Sequence, residues 1–176
     1  MNFALKNITA ALIVGSLFSI TLPVLAAEQA MAASPNLGAT PLTETKTFED
    51  FGGRDGLVAL MDDFMVILIA DPRTKPFFDT PKKDFIKAML VEQICEILNG
   101  GCKYSGRDMA SAHANMKVNR AAFNALVEDL QIAMDKRNIP FSSQNVLLAK
   151  LAPMYRTIET TKGDAVPPMD AAQASK

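Results

Sequence analysis

The sequence predicts an all-α domain, and three observations carry that expectation. Apolar residues recur at the three-and-four spacing of a helix face through most of the chain, and no stretch alternates with a period of two for long enough to argue a sheet. The periodic stretches are divided by Gly, Asn and Pro where helices stop.

The first helical stripe is Leu57, Leu60, Met61, Phe64, Ile67 and Leu68, after the Gly52-Gly53 turn and before Asp71-Pro72. The second is Phe85, Met89, Leu90, Ile94, Ile97 and Leu98, ending at Asn99-Gly100-Gly101, residues that tolerate a left-handed stop. A shorter pattern follows the loop at Tyr104-Ser105-Gly106, with Met109, His113 and Met116 inside two turns. Asn119 is placed to cap the next helix, whose stripe is Phe123, Leu126, Val127, Leu130 and Met134, broken at Asn138-Ile139-Pro140. Ser142 or Ser143 is expected to open the last helix, with Leu147, Leu148, Leu151, Tyr155 and Ile158 inward and Pro153 kinking it or shifting its start.

These stripes place the folded domain at residues 48–162. Residues 27–47 are rich in Ala, Thr, Pro and Glu without a sustained apolar period, and read as a flexible linker; residues 163–176, with Pro167-Pro168, read as a disordered tail. Residues 1–26 read as an export signal: Lys6 precedes an apolar stretch over residues 8–25, which meets Val24-Leu25-Ala26 before Ala27. Ser16, Ser19, Thr21 and Pro23 interrupt that stretch, which favours cleavage over a membrane span, so the mature chain is expected in the periplasm or outside the cell with no stable span.

Composition narrows function. Eighteen basic and 19 acidic residues are mixed along the chain, so no basic stripe offers itself to a phosphate backbone and nucleic acid is not an expected partner. His113 is the only histidine. A hydrolytic triad would need it beside a nucleophile, yet Cys95 lies in a helical stripe and Ser111 points to another side of its helix. Zinc held by Cys95, Cys102 and His113 would have gaps that match no familiar zinc-site spacing. Periodicity alone leaves His113 either as a core imidazole bonded to backbone or as a ligand. A short helix carrying Met109 and Met116 beside the ring, opposite a long apolar helix with Ile86, Leu90 and Ile94, offers what a flat porphyrin needs: two apolar walls and one imidazole.

The ordered set Phe51-Gly52-Gly53, Asp62-Asp63-Phe64, Ala70-Asp71-Pro72-Arg73, Pro76-Phe77-Phe78, Tyr104-Ser105-Gly106-Arg107-Asp108-Met109 and Ala112-His113 resembles a group I truncated haemoglobin over nearly all of the domain. The resemblance implies a two-over-two helical sandwich around b-type haem, with His113 as the proximal iron ligand. It also implies Phe78 packed against the porphyrin, and a pocket lined by Phe64, Ile86, Leu90, Ile94, Met109, Val118 and Phe123, with Met116 beside the proximal ring. No Cys-x-x-Cys-His occurs, so the haem is expected to be held without thioether bonds.

Departures from the family set the expected ligand preference. The place after Phe64, often a tyrosine whose hydroxyl donates to dioxygen, is Met65, and Ile86 and Leu90 stand where polar groups can occur. The distal pocket of Met65, Ile86 and Leu90 is therefore dry, with Gln93 as its remaining candidate donor or else a rim side chain. Dioxygen gains more from a donor than carbon monoxide or nitric oxide does, so weak or short-lived oxygen binding is expected. Met65 could also approach iron as a sixth ligand, with simple packing as the competing reading. Where the family commonly has glycines after the proximal histidine, this chain has Asn115 and Lys117. Cys95 and Cys102 are candidates for a disulfide in an oxidising compartment, with a buried apolar Cys95 as the alternative. Two function classes follow: a haem protein for diatomic gases (O2, NO, CO), extending to nitric oxide dioxygenation or to peroxide or sulfide chemistry with a reductase the sequence does not identify, or a haem-free module of the same shape that binds a partner or lipid through the same cavity.

Overall fold

The computed structural model describes residues 32–160, and within them every regular element is helical. In chain order these are α1 (Lys46–Asp50), α2 (Gly53–Ala70), α3 (Lys75–Phe78), α4 (Lys83–Ile97), α5 (Met109–His113), α6 (Arg120–Lys136), α7 (Phe141–Leu151) and α8 (Tyr155–Ile158), with one turn of 3-10 helix, Ala152–Met154, before α8. The expected export signal, the start of the linker and the expected tail lie outside the described residues.

α2 is the organising helix, packing on α3, α4 and α6, while α7 packs on α1, α4 and α6. The long helices thus pair two over two, as expected. The stripe that predicted α2 is its buried face: Leu57, Leu60 and Leu68 have no exposed surface, and each such side chain contributes about 2 kcal/mol through burial. Left-handed Gly52 (φ 78°) and Gly53 (φ 65°) make the tight entry from α1. Across the outside of the α2–α4 contact Lys87 reaches Asp62 at 2.8 Å, and Asp63 takes Lys136 and Arg137 from the α6 side. Such exposed pairs are worth little energy each but favour one register.

Helix ends follow local chemistry. Asn119 accepts from the Ala122 amide at 2.9 Å, the expected cap of α6. Asn99 (φ 60°) and Asn138 (φ 54°) take the left-handed region where α4 and α6 stop. Pro153 cannot donate an amide and its ring crowds the preceding turn, so the last stripe divides into α7 and α8. α7 opens at Phe141 with Pro140 in the capping position rather than at Ser142 or Ser143; the buried Ser143 hydroxyl instead donates to Asp50 at 2.7 Å, tying α7 to α1.

Three expectations are corrected. Phe85, read as part of the buried stripe of α4, is 63% exposed, and Val91 takes an inward place instead. The linker reading fails from residue 32 onward, because Leu37 is 1% exposed in the core and its neighbours are hydrogen-bonded to α4 and to the loop that follows it. α1 and α3, each five residues or fewer, were not expected as helices at all.

Buried carboxyls pin two of the junctions. Glu96, 4% exposed, accepts from the amides of Tyr104 at 2.6 Å and Ser34 at 2.7 Å and from Lys103 at 3.3 Å. Burial alone would raise its pKa, but these donors together hold the carboxyl below its ordinary value. Asp129 goes the other way: burial pushes it up and the nearby Asp71 carboxyl adds to that, while the Thr74 hydroxyl at 2.9 Å opposes. That hydroxyl lies equally close to the Leu68 carbonyl, so its single proton is shared between two acceptors.

Candidate functional site

α5 exists to present one ring. Asp108 caps it, accepting from the Ser111 amide at 2.9 Å, and the loop before it is anchored where Glu92 accepts from Ser105 and the Tyr104 hydroxyl donates to the Arg107 carbonyl. At the end of this single turn the His113 Nδ1 lies 2.8 Å from the Met109 carbonyl oxygen. A carbonyl can only accept, so Nδ1 carries the proton and Nε2 keeps an in-plane lone pair. Burial, helped by the charge of Arg107 and opposed by the Met109 bond, holds His113 below its ordinary pKa, which keeps the imidazole neutral. A neutral ring with one nitrogen fixed by backbone is the state in which imidazole binds a metal.

The apolar residues singled out from the sequence fall mostly in the core of the domain or against it. Phe64 of α2, Ile94 of α4, Met109 of α5 and Val118 belong to one buried core; Phe78, Leu90, Met116 and Phe123 pack on it half-exposed. Ile86 is half-buried near the start of α4, and Met65 is buried on α2. Met116 sits beyond the end of α5, its amide bonded to the His113 carbonyl at 3.2 Å. The turn that carries it runs through left-handed Asn115 (φ 66°) and Lys117 (φ 55°), so glycine is not required to make it.

Gln93 is neither a distal donor nor a rim side chain. It is 6% exposed, its Nε2 donates to the Leu37 carbonyl at 3.0 Å, and the sulfur of Met109 lies 3.4 Å away, which commits the amide to the α5 side. Cys95 and Cys102 are joined as a disulfide with Cα atoms 5.6 Å apart, which removes both thiolates from the zinc alternative. Arg54 approaches the Cys102 sulfur at 3.5 Å. Sequence reasoning missed Leu37, a single anchor in a stretch without periodicity. It also missed the aromatic corner where Tyr155 meets Phe123, ring centroids 5.1 Å apart, beneath Arg120. Phe123 and Tyr155 were each assigned an inward face, but nothing in their spacing joins the two helices.

A family model for bacterial-like globins matches residues 46–160. The chain belongs to that family. Among curated relatives, a group 1 truncated haemoglobin of Tetrahymena pyriformis is 26% identical over 92 residues, covering 52% of this chain and 76% of that protein. Group 1 truncated hemoglobin GlbN of Mycolicibacterium paratuberculosis is 24% identical over 119 residues, covering 68% of this chain and 88% of its own. The solved ferric truncated haemoglobin of T. pyriformis superposes with a TM-score of 0.61 at 22% identity, over 64% of this chain and 97% of that one. The 2/2 haemoglobin of Synechococcus, solved in the cyanomet state with covalently attached haem, gives 0.59 at 19% identity over 64% and 96%. The globin fold is thereby shown for this chain, and the matched stretch begins at the first residue of α1, leaving residues 32–45 outside it.

Proposed function

We propose that this globin binds haem b non-covalently through His113 and carries or senses a diatomic gas. The observation that carries the reading is the Nδ1 to Met109 carbonyl bond: the chain's one histidine is neutral, held at one nitrogen and free to ligate with the other. The residues assigned to the pocket suit the group by their chemistry. Phe64, Ile94, Met109 and Val118 are apolar and buried, and half-exposed Phe78, Ile86, Leu90, Met116 and Phe123 can close on a porphyrin face.

When bound, haem supplies an iron with a position for a small ligand; the protein supplies the imidazole, the dry walls and the orientation. With Met65 buried next to Phe64, Ile86 and Leu90 apolar and Gln93 turned toward α5, no distal donor remains from the residues considered. The pocket therefore favours carbon monoxide and nitric oxide over dioxygen, relative to relatives that carry a donor. Electrons for returning the iron to its ferrous state come from a separate reductase.

We also propose that residues 1–26 are removed on export and that the mature globin works in the periplasm or outside the cell. The Cys95–Cys102 bridge supports this, since such bonds persist in oxidising compartments. Hemin titration of the purified chain tests the main proposal: a Soret band should appear with one equivalent, and His113→Gly should lose it and regain it on adding imidazole. Equal uptake by His113→Gly without imidazole refutes ligation by this residue.

A further inference from the structure

We infer that residues 32–42 form a strap that positions the proximal helix α5, with Leu37, Gly38 and Gln93 as its positioning residues. The inference rests on the haem reading above, and concerns a segment ahead of the stretch matched by the family.

The strap crosses three parts of the domain. The Ser34 amide donates to Glu96, and the Leu42 amide to the Ile97 carbonyl at 2.8 Å, both on α4. In the loop between α4 and α5, the Asn36 side chain donates to the Gly106 carbonyl at 3.1 Å and Lys103 donates to the Ala32 carbonyl. Between these ties Leu37 is driven into the core, and its carbonyl takes the Gln93 amide at 3.0 Å. Two buried partners and a closed set of hydrogen bonds mark an element held in one place, not a tether.

The strap then meets α5 directly. Gly38 (φ 82°) runs so close to the first residue of that helix that a Cβ there would stand 3.0 Å from the Met109 side chain and 3.3 Å from Met154. Gln93, bonded to the strap at Leu37, also meets Met109, its Nε2 3.4 Å from the sulfur. Met109 is the residue whose carbonyl holds Nδ1 of His113. A contiguous chain of contacts thus runs from Leu37 and Gly38, through Met109, to the ligating ring. α5 has only five residues and cannot hold its own orientation by helix cooperativity, so an outside clamp on its first turn sets the angle of the imidazole.

The test uses the full chain in three variants: Gln93→Leu and Leu37→Ala, which loosen the strap from two sides, and Leu57→Ala, which removes an equally buried side chain from α2. In the hemin-free protein, amide exchange at residues 111–114 should quicken in both strap variants more than in Leu57→Ala at matched global stability. With hemin bound, the strap variants should release it about tenfold faster and shift the iron–histidine stretching band of the ferrous form, while Leu57→Ala leaves the band in place. Strap variants that match Leu57→Ala in exchange and in the band overturn the inference. A wild-type chain that takes up no hemin overturns the haem reading instead, and the exchange comparison then still decides whether the strap positions α5.

Discussion

Replacing Glu96 with glutamine keeps the shape of the side chain and changes the chemistry of the junction that joins α4, the loop toward α5 and the strap. The carboxylate is nearly fully buried and accepts from two backbone amides, Ser34 at 2.7 Å and Tyr104 at 2.6 Å, on separate oxygens. In the glutamine one oxygen becomes an NH2 facing an N–H, and the other loses its charge. A hydrogen bond to a buried charge is worth about 1.5 to 3 kcal/mol, so losing one and weakening the other costs about 3 kcal/mol. At about 4 °C per kcal/mol for a domain of this size, Glu96→Gln should melt about 12 °C below wild type at pH 7.

The pH dependence gives the same experiment a second axis. The folded Glu96 carboxyl is held below its ordinary value near 4.5, so its contribution is complete above that pH and is lost as pH falls through the folded value. Thermal unfolding followed by circular dichroism at pH 7 and in steps down through pH 3 should therefore show the two proteins converging on the acid side. A gap under about 3 °C at pH 7, or one that stays constant as the carboxyl protonates, refutes the assignment of Glu96 as an ionised hub.

Met65→Tyr places a phenolic donor at the buried position beside Phe64 and should slow oxygen release about tenfold, read by stopped-flow on the ferrous protein. Replacing Cys95 and Cys102 together with serine opens a ring of seven-residue separation and should cost about 2.5 kcal/mol by urea denaturation, if the bridge acts through the unfolded chain. Asp129 is raised by burial, so the stability it lends is complete below its ordinary 3.8 and lost as pH rises through the folded value. Asp129→Asn should then cost less than about 1 kcal/mol at pH 7 and compare worse against wild type at pH 3. At Lys117 (φ 55°) glycine should be more stable than alanine by about 1 kcal/mol, the reverse of their order in a helix, because both lose the side chain and only glycine relieves the backbone.

The long helices were legible because burial repeats along them. Leu57, Leu60, Phe64 and Leu68 carry a period that needs no tertiary information, and Asn99, Asn138 and Pro153 stop the chain for reasons local to themselves. The roles assigned to His113 and the apolar residues rested on resemblance, since one histidine in an apolar setting has no distinctive spacing of its own. Phe85 misled for the same reason that the others succeeded: it keeps the period of α4 but lies near the helix start, where no neighbouring element covers it. Gln93 was misassigned because angle around a helix says which way a side chain leaves the axis, not which acceptor waits there. Its acceptor is the carbonyl of Leu37, 56 residues away.

That last failure has a physical generality for short helices that carry ligands. α1, α3, α5 and α8 have five residues or fewer, below the length at which a helix is stable alone, so each depends on contacts with distant residues. Nothing in the five residues of α5 specifies the direction of its imidazole; the cap at Asp108 fixes where the helix begins, and the contacts of Gly38 and Gln93 with Met109 are what the strap inference holds to turn it. The left-handed backbone at Asn115 and Lys117 lets the chain leave the ring at once, at some conformational cost. On the haem reading proposed above, such a helix is tuned from outside itself, so substitutions in the strap should alter the iron–histidine bond without changing any residue of the proposed pocket.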